Sequence, residues 1–85
     1  MSLDFTGFET IPELTQHALI LYVENKIKPG SFLLAVLRGD LFDAVTRADR
    51  YNQATLSVLT KFIMWRCPSN SYGSPEIVDE YLLRR

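Results

Sequence analysis

Two helix starts separated by a single helix stop lie close together in the middle of the chain. Pro29 suits a first helical turn, where its missing N–H costs no hydrogen bond, and Ser31 is an alternative N-cap. Gly39 follows a short apolar run and suits a left-handed helix end, and Asp40 directly after it is a good N-cap. This spacing predicts two helices that meet at a sharp corner, with the rest of the chain packed around it.

A first helix is predicted before this corner. Thr10 and Glu13 have the spacing of a capping box, and Lys28-Pro29 disfavours helix, so the helix should end near Asn25. One face of it is marked by Ile11, Leu14, Ala18, Leu21 and Asn25. Its second half is apolar nearly all round, which predicts burial on two sides.

After Asp40 the apolar period starts with Leu41, Ala44, Val45 and Ala48 and continues to about Arg66. Either one helix spans residues 41–66, or two in-phase helices break near residues 48–50 with Asp49 capping the second. Asn52 falls on the apolar stripe, where it would belong to a small polar site or hold the chain reversal at Gly39. Ser74 and Pro75 then predict the start of a last helix.

These patterns predict an all-α fold, a compact bundle of four or five short helices. The 85 residues are enough for one domain, with a helical core over residues 10–83. Residues 1–9 lack a period and predict a flexible arm that is anchored by Phe5 and Phe8.

The apolar content exceeds what such a small domain can hide. Residues of apolar type make up 47% of the chain, which favours a face covered by a second copy or another partner. We therefore expect a homo-oligomer, with a dimer favoured. The candidate interface residues are Phe5, Phe8, Leu19, Ile20, Val23, Phe62 and Trp65.

The charge pattern bears on the class of ligand. A net charge of −1 argues against direct nucleic-acid binding, which usually needs a basic excess. Basic residues are nevertheless concentrated between residues 25 and 66, where they would meet an anionic ligand or pair with the acidic first helix. Arginines beside aromatic residues suit a nucleotide. The candidate ligand-binding residues are Arg47, Arg50, Tyr51, Asn52, Trp65, Arg66 and Tyr72.

Residues typical of catalysis or metal binding are sparse. His17 has only Glu13 beside it on the helix, Cys67 has no histidine or second cysteine nearby in sequence, and the glycines accompany helix caps. The tripeptide at residues 38–40, Arg-Gly-Asp, is better explained as helix punctuation than as an adhesive loop. We expect no enzyme activity, no metal and no cofactor.

Cellular location is constrained by two further features. A single cysteine and the absence of a signal-peptide pattern favour a reducing interior. The longest continuous apolar run, residues 18–23, is far shorter than the roughly 20 residues that span a bilayer, so no membrane association is expected.

A set of residues along the chain resembles small, functionally uncharacterised proteins of tailed bacteriophages. The resemblance covers about Ile11 to Leu82 and is carried by Ile11-Pro12, Thr15, Ala18-Leu19, Tyr22-Val23, Ile27, Pro29-Gly30, Phe32-Leu33, Ala35-Val36-Leu37, Asp40-Leu41, Ala44-Val45, Arg47-Ala48-Asp49, Asn52, Leu56, Pro68 and Gly73-Ser74-Pro75-Glu76. The chain departs from that pattern at Ser31, Gly39 and Tyr72, where glycine, asparagine and tryptophan are expected. The resemblance implies no activity; it implies a phage accessory protein in the host bacterial cytoplasm.

Three functional hypotheses follow. The first is a self-associating protein that binds a host bacterial protein and modulates host or defence function. The second is an oligomeric sponge for a small nucleotide signal, and the third is a minor virion or assembly protein.

Overall fold

A computed structural model describes residues 3–48 and 50–83, and for Tyr51 and Asn52 it describes the backbone alone. The described helices are α1 (Glu13–Asn25), α2 (Ser31–Leu37), α3 (Leu41–Arg47), α4 (Arg50–Arg66) and α5 (Pro75–Leu83), with a 3₁₀ turn at Ser69–Ser71. No strand is present in these ranges. The predicted all-α bundle of short helices is confirmed.

The corner between α2 and α3 has the predicted cap chemistry. Gly39 adopts a φ of 78°, and the amides of Gly39 and Asp40 donate to the carbonyls of Val36 (3.1 Å) and Ala35 (2.9 Å). This pair of bonds is the Schellman arrangement. The Asp40 carboxylate then accepts from the amide of Asp43 at 3.0 Å, which caps α3.

The same corner packs against the loop before α5. The amide of Gly73 donates to the carbonyl of Leu37 at 2.8 Å. A Cβ atom on Gly39 would lie 2.8 Å from the Gly73 carbonyl oxygen, closer than real Cβ atoms approach. Glycine is therefore required at position 39 for two reasons, its positive φ and this close approach.

The predicted capping box at the start of α1 is wrong. The helix begins at Glu13 with Pro12 as N-cap and no side-chain cap, while the Gln16 side chain donates to the carbonyl of Ile11 at 2.8 Å. A residue before proline is disfavoured in the α region, so Ile11 cannot join the helix and Thr10 lies too early to cap it. The end of α1 at Asn25 is as predicted.

The buried face of α1 also differs from the prediction. Thr15, Leu19 and Tyr22 are its buried residues, whereas Leu14 is 86% exposed. The second half of α1 is fully buried on one side rather than two, because Ile20 and neighbouring apolar residues stay half-exposed. The Tyr22 hydroxyl donates to the carbonyl of Ser71 at 2.7 Å and holds this face inward.

Residues 41–66 form two helices. The backbone leaves the α region at Ala48, where ψ is 137°, and α4 begins at Arg50. The predicted N-cap Asp49 and the side chain of Asn52 lie outside the described residues. At the start of α5 the prediction is confirmed, since Pro75 is its first residue and the amide of Ile77 donates to the Ser74 hydroxyl at 3.3 Å.

Candidate functional site

The N-terminal segment packs along α4. The Phe5 ring stacks on Phe62 with centroids 4.2 Å apart, and Phe8 meets the same ring edge-on at 5.3 Å. Arg66 donates to the Asp4 carbonyl at 3.1 Å and pairs with its carboxylate at 3.5 Å. The two phenylalanine rings therefore bind the chain's own α4, where the sequence had suggested an interface.

Most of the predicted interface residues belong to the core of one chain. Leu19 and Phe62 have no exposed surface and Phe8 is also buried, so their assignment to an interface is wrong. Phe5, Ile20 and Val23 are half-buried. Trp65, which is 67% exposed, is the one predicted interface residue that is mostly accessible. Apolar periodicity identified buried residues but could not separate burial within the chain from burial against a partner.

The predicted nucleotide-binding residues do not form one pocket. Arg50 and Trp65 lie near opposite ends of the 17-residue helix α4, about 22 Å apart at roughly 1.5 Å per residue. Arg47, near the first end, is paired with Asp43 at 2.9 Å. At the second end, Arg66 is engaged by the N-terminal segment.

The remaining members of this group are Tyr72, Tyr51 and Asn52. The Tyr72 hydroxyl donates to the carbonyl of Met64 at 3.2 Å, which places Tyr72 near Trp65 and Arg66. The side chains of Tyr51 and Asn52 lie outside the described residues. Within one chain, the members of this group whose side chains are described therefore lie near two separate ends of α4.

Cys67 and His17 are the other side chains that could take part in catalysis or metal binding. Cys67 is buried, and burial raises the pKa of its thiol to about 12, so the thiol is protonated and shielded. His17 and Glu13 are exposed on α1. Within the described ranges no three metal-binding side chains come together, and no described helix is long and apolar enough to cross a membrane.

A different surface emerges on α3. Leu41, Phe42 and Val45 are 60%, 87% and 44% exposed, and we call these three residues the α3 surface. At ~100° per residue they cover about 100° of the helix circumference, with Asp43 and Arg47 on another side. The core-facing residue of α3 is Ala44, which is 1% exposed.

A groove runs beside the α3 surface. Its volume is about 260 Å³, and among the residues with described side chains its lining includes Val36, Gly39, Leu41, Ala44, Leu56 and Thr60. These residues come from α2, the corner, α3 and α4, so the packing of the two short helices against α4 creates it. Leu41 belongs both to the groove wall and to the α3 surface, which makes the two features continuous.

This surface was not predicted from the sequence, because Leu41 and Val45 lie on the same apolar stripe as Ala44. Of the seven residues of α3 only Ala44 is buried, whereas α2, of the same length, buries four. The available signal was Phe42, a large apolar residue next to the predicted stripe rather than on it. Such a residue on a short capped helix points toward solvent unless another element covers it.

The electrostatics of α3 keep charge away from this surface. The Arg47 Nε atom lies 2.9–3.0 Å from both Asp43 carboxylate oxygens, so the two charges neutralise each other across one turn. Asp40 is engaged in capping. The geometry therefore suits contact with an apolar surface of another macromolecule.

Comparison of the chain with models of known protein families, with curated proteins and with solved structures gives no match.

Proposed function

We propose that this chain is a non-enzymatic interaction protein that self-associates and binds a protein partner through the α3 surface. The observation that carries the proposal is the concentration of three exposed apolar side chains beside an apolar groove. Contiguous exposed apolar surface on a small domain is typical of protein-binding sites.

The size of the hydrophobic gain supports a contribution to binding. Full burial of one large apolar side chain stabilises by about 1.5–3 kcal/mol. Scaled by the exposures of Leu41, Phe42 and Val45, burial of the α3 surface would contribute about 3–6 kcal/mol per chain. Association costs about 4–15 kcal/mol, so this surface would form the centre of an interface and would need surrounding contacts.

An aromatic residue beside a pocket is the usual form of a binding hot spot. Phe42 combines high exposure with a rigid aromatic side chain that has only two rotatable bonds, so little conformational entropy is lost when it is covered. Its neighbours Leu41 and Val45 are aliphatic, and in a complex they would surround the ring and exclude water from it.

The biological setting in the proposal comes from the resemblance to small proteins of tailed bacteriophages. On that basis the protein is a phage accessory protein in the host bacterial cytoplasm, and its partner is a host protein whose function it modulates. The buried, protonated thiol of Cys67 is consistent with a role that needs no nucleophile.

The test is a pulldown from bacterial lysate with tagged wild-type chain and two variants, F42Q and L14Q. Leu14 and Phe42 are 86% and 87% exposed, but Leu14 lies on α1 and has no part in the groove. Glutamine is a good helix former, so both variants should keep their helices, which circular dichroism checks.

We expect a stoichiometric host protein with wild-type and L14Q and its loss with F42Q. Recovery of no host protein, or equal recovery with all three chains, would refute the proposal.

A further inference from the structure

We infer that two copies of this chain form a twofold-symmetric dimer in which Phe42 of each copy occupies the groove of the other. The inference rests on the proposed function in that both use the α3 surface, and it identifies the occupant of the groove. It differs from the sequence-based interface, which centred on Phe62 and the first helix.

On one molecule the Phe42 ring is exposed, and the described side chains leave the groove open. Phe42 is 87% exposed, whereas a ring lying in its own groove would be largely buried. The groove wall begins at the adjacent residue, Leu41. Each copy therefore presents one projecting ring and one apolar recess on a single continuous surface.

The shape of this surface also suits a twofold-symmetric interface. In an isologous twofold interface the same patch meets itself, and a contact from residue i to residue j is repeated from j to i. A surface with one projection and one adjacent recess satisfies this condition, because both contacts form in one docking event. A patch with only a projection would need a partner of different shape.

The size and chemistry of the groove also suit the Phe42 ring. A cavity of about 150 Å³ lined by apolar side chains accepts benzene. The groove offers about 260 Å³, which accommodates a phenyl ring together with part of an aliphatic neighbour. Val36, Ala44 and Leu56 give it apolar walls, and Gly39 places no side chain in it.

The dimer must also bury enough apolar surface area. A standard interface buries about 800 Å² per partner, of which the centre is roughly 65% apolar. A buried aromatic side chain supplies about 150–250 Å². Phe42, with Leu41, Val45 and the groove walls, provides the apolar centre of a small interface. Because this centre is smaller than a standard interface of about 800 Å² per partner, we expect a weak dimer and choose test concentrations of about 1 to 100 μM.

The test begins with molar mass by light scattering across a concentration range that brackets those values. The wild-type chain should rise from the 9.8 kDa monomer toward twice that mass as concentration increases. F42Q should remain monomeric, with a dissociation constant raised at least tenfold. L14Q, with equal exposure outside the groove, should behave as wild-type.

A second variant addresses the groove from the other side. Thr60 lies on the exposed side of α4 and lines the groove, so T60R places a long charged side chain across it without entering the core. T60R should also remain monomeric. Thermal melts of all variants establish that the fold is retained, and a T60R chain that is folded and dimerises like wild-type overturns the inference.

The contact itself is tested by a photo-crosslink. The phenylalanine analogue p-benzoylphenylalanine at position 42 keeps an aromatic ring there and should yield a covalent dimer on irradiation. Mass spectrometry should locate the crosslink at the groove residues around Val36 or between Leu56 and Thr60. Crosslinks mapped elsewhere, or a wild-type chain that is monomeric at every concentration, overturn the inference.

The two proposals can fail separately. A monomeric wild-type chain whose host partner is lost in F42Q supports the host-binding half of the proposed function and removes both the dimer and self-association. A dimer with the predicted crosslink and no host partner supports the inference and removes the host-binding half of the proposed function.

Discussion

Substitution of Gly39 by alanine tests the account of the corner between α2 and α3. A non-glycine residue in the left-handed region costs about 1–2 kcal/mol. The new Cβ would also lie 2.8 Å from the Gly73 carbonyl oxygen, so the Gly73 backbone must move. That movement weakens the bond from the Gly73 amide to the Leu37 carbonyl, at a cost of about 0.5–1.5 kcal/mol.

The expected loss for G39A is therefore about 1.5–3.5 kcal/mol in the free energy of unfolding. Urea denaturation followed by circular dichroism measures it. Because a small domain has a slope of about 1–1.5 kcal/mol per molar urea, the midpoint should fall by roughly 2 M.

Two other glycines provide matched controls. Gly7 has a φ of 87° and no atom within 4 Å of the position that a Cβ would take, so G7A reports backbone strain without a clash. Gly30 has no positive φ and the same open surroundings, so G30A should change stability by less than about 0.5 kcal/mol. A G39A chain no less stable than G7A would refute the argument that close approach to Gly73 matters.

Three further outcomes are expected. Y22F removes a buried hydroxyl that donates to the Ser71 carbonyl, and the loss of about 1–3 kcal/mol should appear in the same urea assay; a change below about 0.5 kcal/mol would contradict the importance of this bond. The pKa of Asp4 is lowered from 3.8, chiefly by the Thr6 hydroxyl and then the Thr6 amide, so its stabilisation is present above 3.8 and is lost as pH falls through the lower folded value. Tryptophan fluorescence should report that loss as a transition below pH 3.8, which D4N should abolish. The Cys67 thiol should react with a disulfide reagent at pH 8 at least tenfold more slowly in the native chain than in denaturant, and equal rates would contradict its burial.

Cap chemistry explains why part of the fold could be predicted from the sequence. The corner at Gly39 and Asp40 and the start of α5 at Ser74 and Pro75 each depend on residues within one or two turns. Local hydrogen bonds and fixed dihedral angles decide such positions. The sequence contains all the information that they need.

The orientation of α1 could not be predicted in the same way. Apolar residues surround its second half, and the apolar period placed Leu14 on the marked face and left Leu19 to an interface. What selects Leu19 is the contact of its neighbour Tyr22 with Ser71, 49 residues away. The apolar period of a helix carries no information about a hydrogen-bond partner 49 residues away.

The candidate site could not be predicted from the sequence either, because residue type does not give position in the fold. The sequence grouped Arg47 and Arg50 with Trp65 and Arg66 by residue type, but the length of α4 keeps them apart. Two residues of the α3 surface, Leu41 and Val45, were placed on the apolar stripe, and Phe42 was not. Whether a short helix lies inside a bundle or at its edge depends on how the longer helices leave space, which is a property of the whole chain.

The hydroxyl groups of Tyr22 and Tyr81 also constrain how the chain acquires its structure. Tyr22 is bound to Ser71, and Tyr81 donates to the carbonyl of Val23 at 2.6 Å across 58 residues of sequence. During synthesis α1 emerges long before either of these contacts can form. Both contacts can form only after Ser71 and Tyr81 have been made, so the final packing of α1 is expected to follow translation of the last helix.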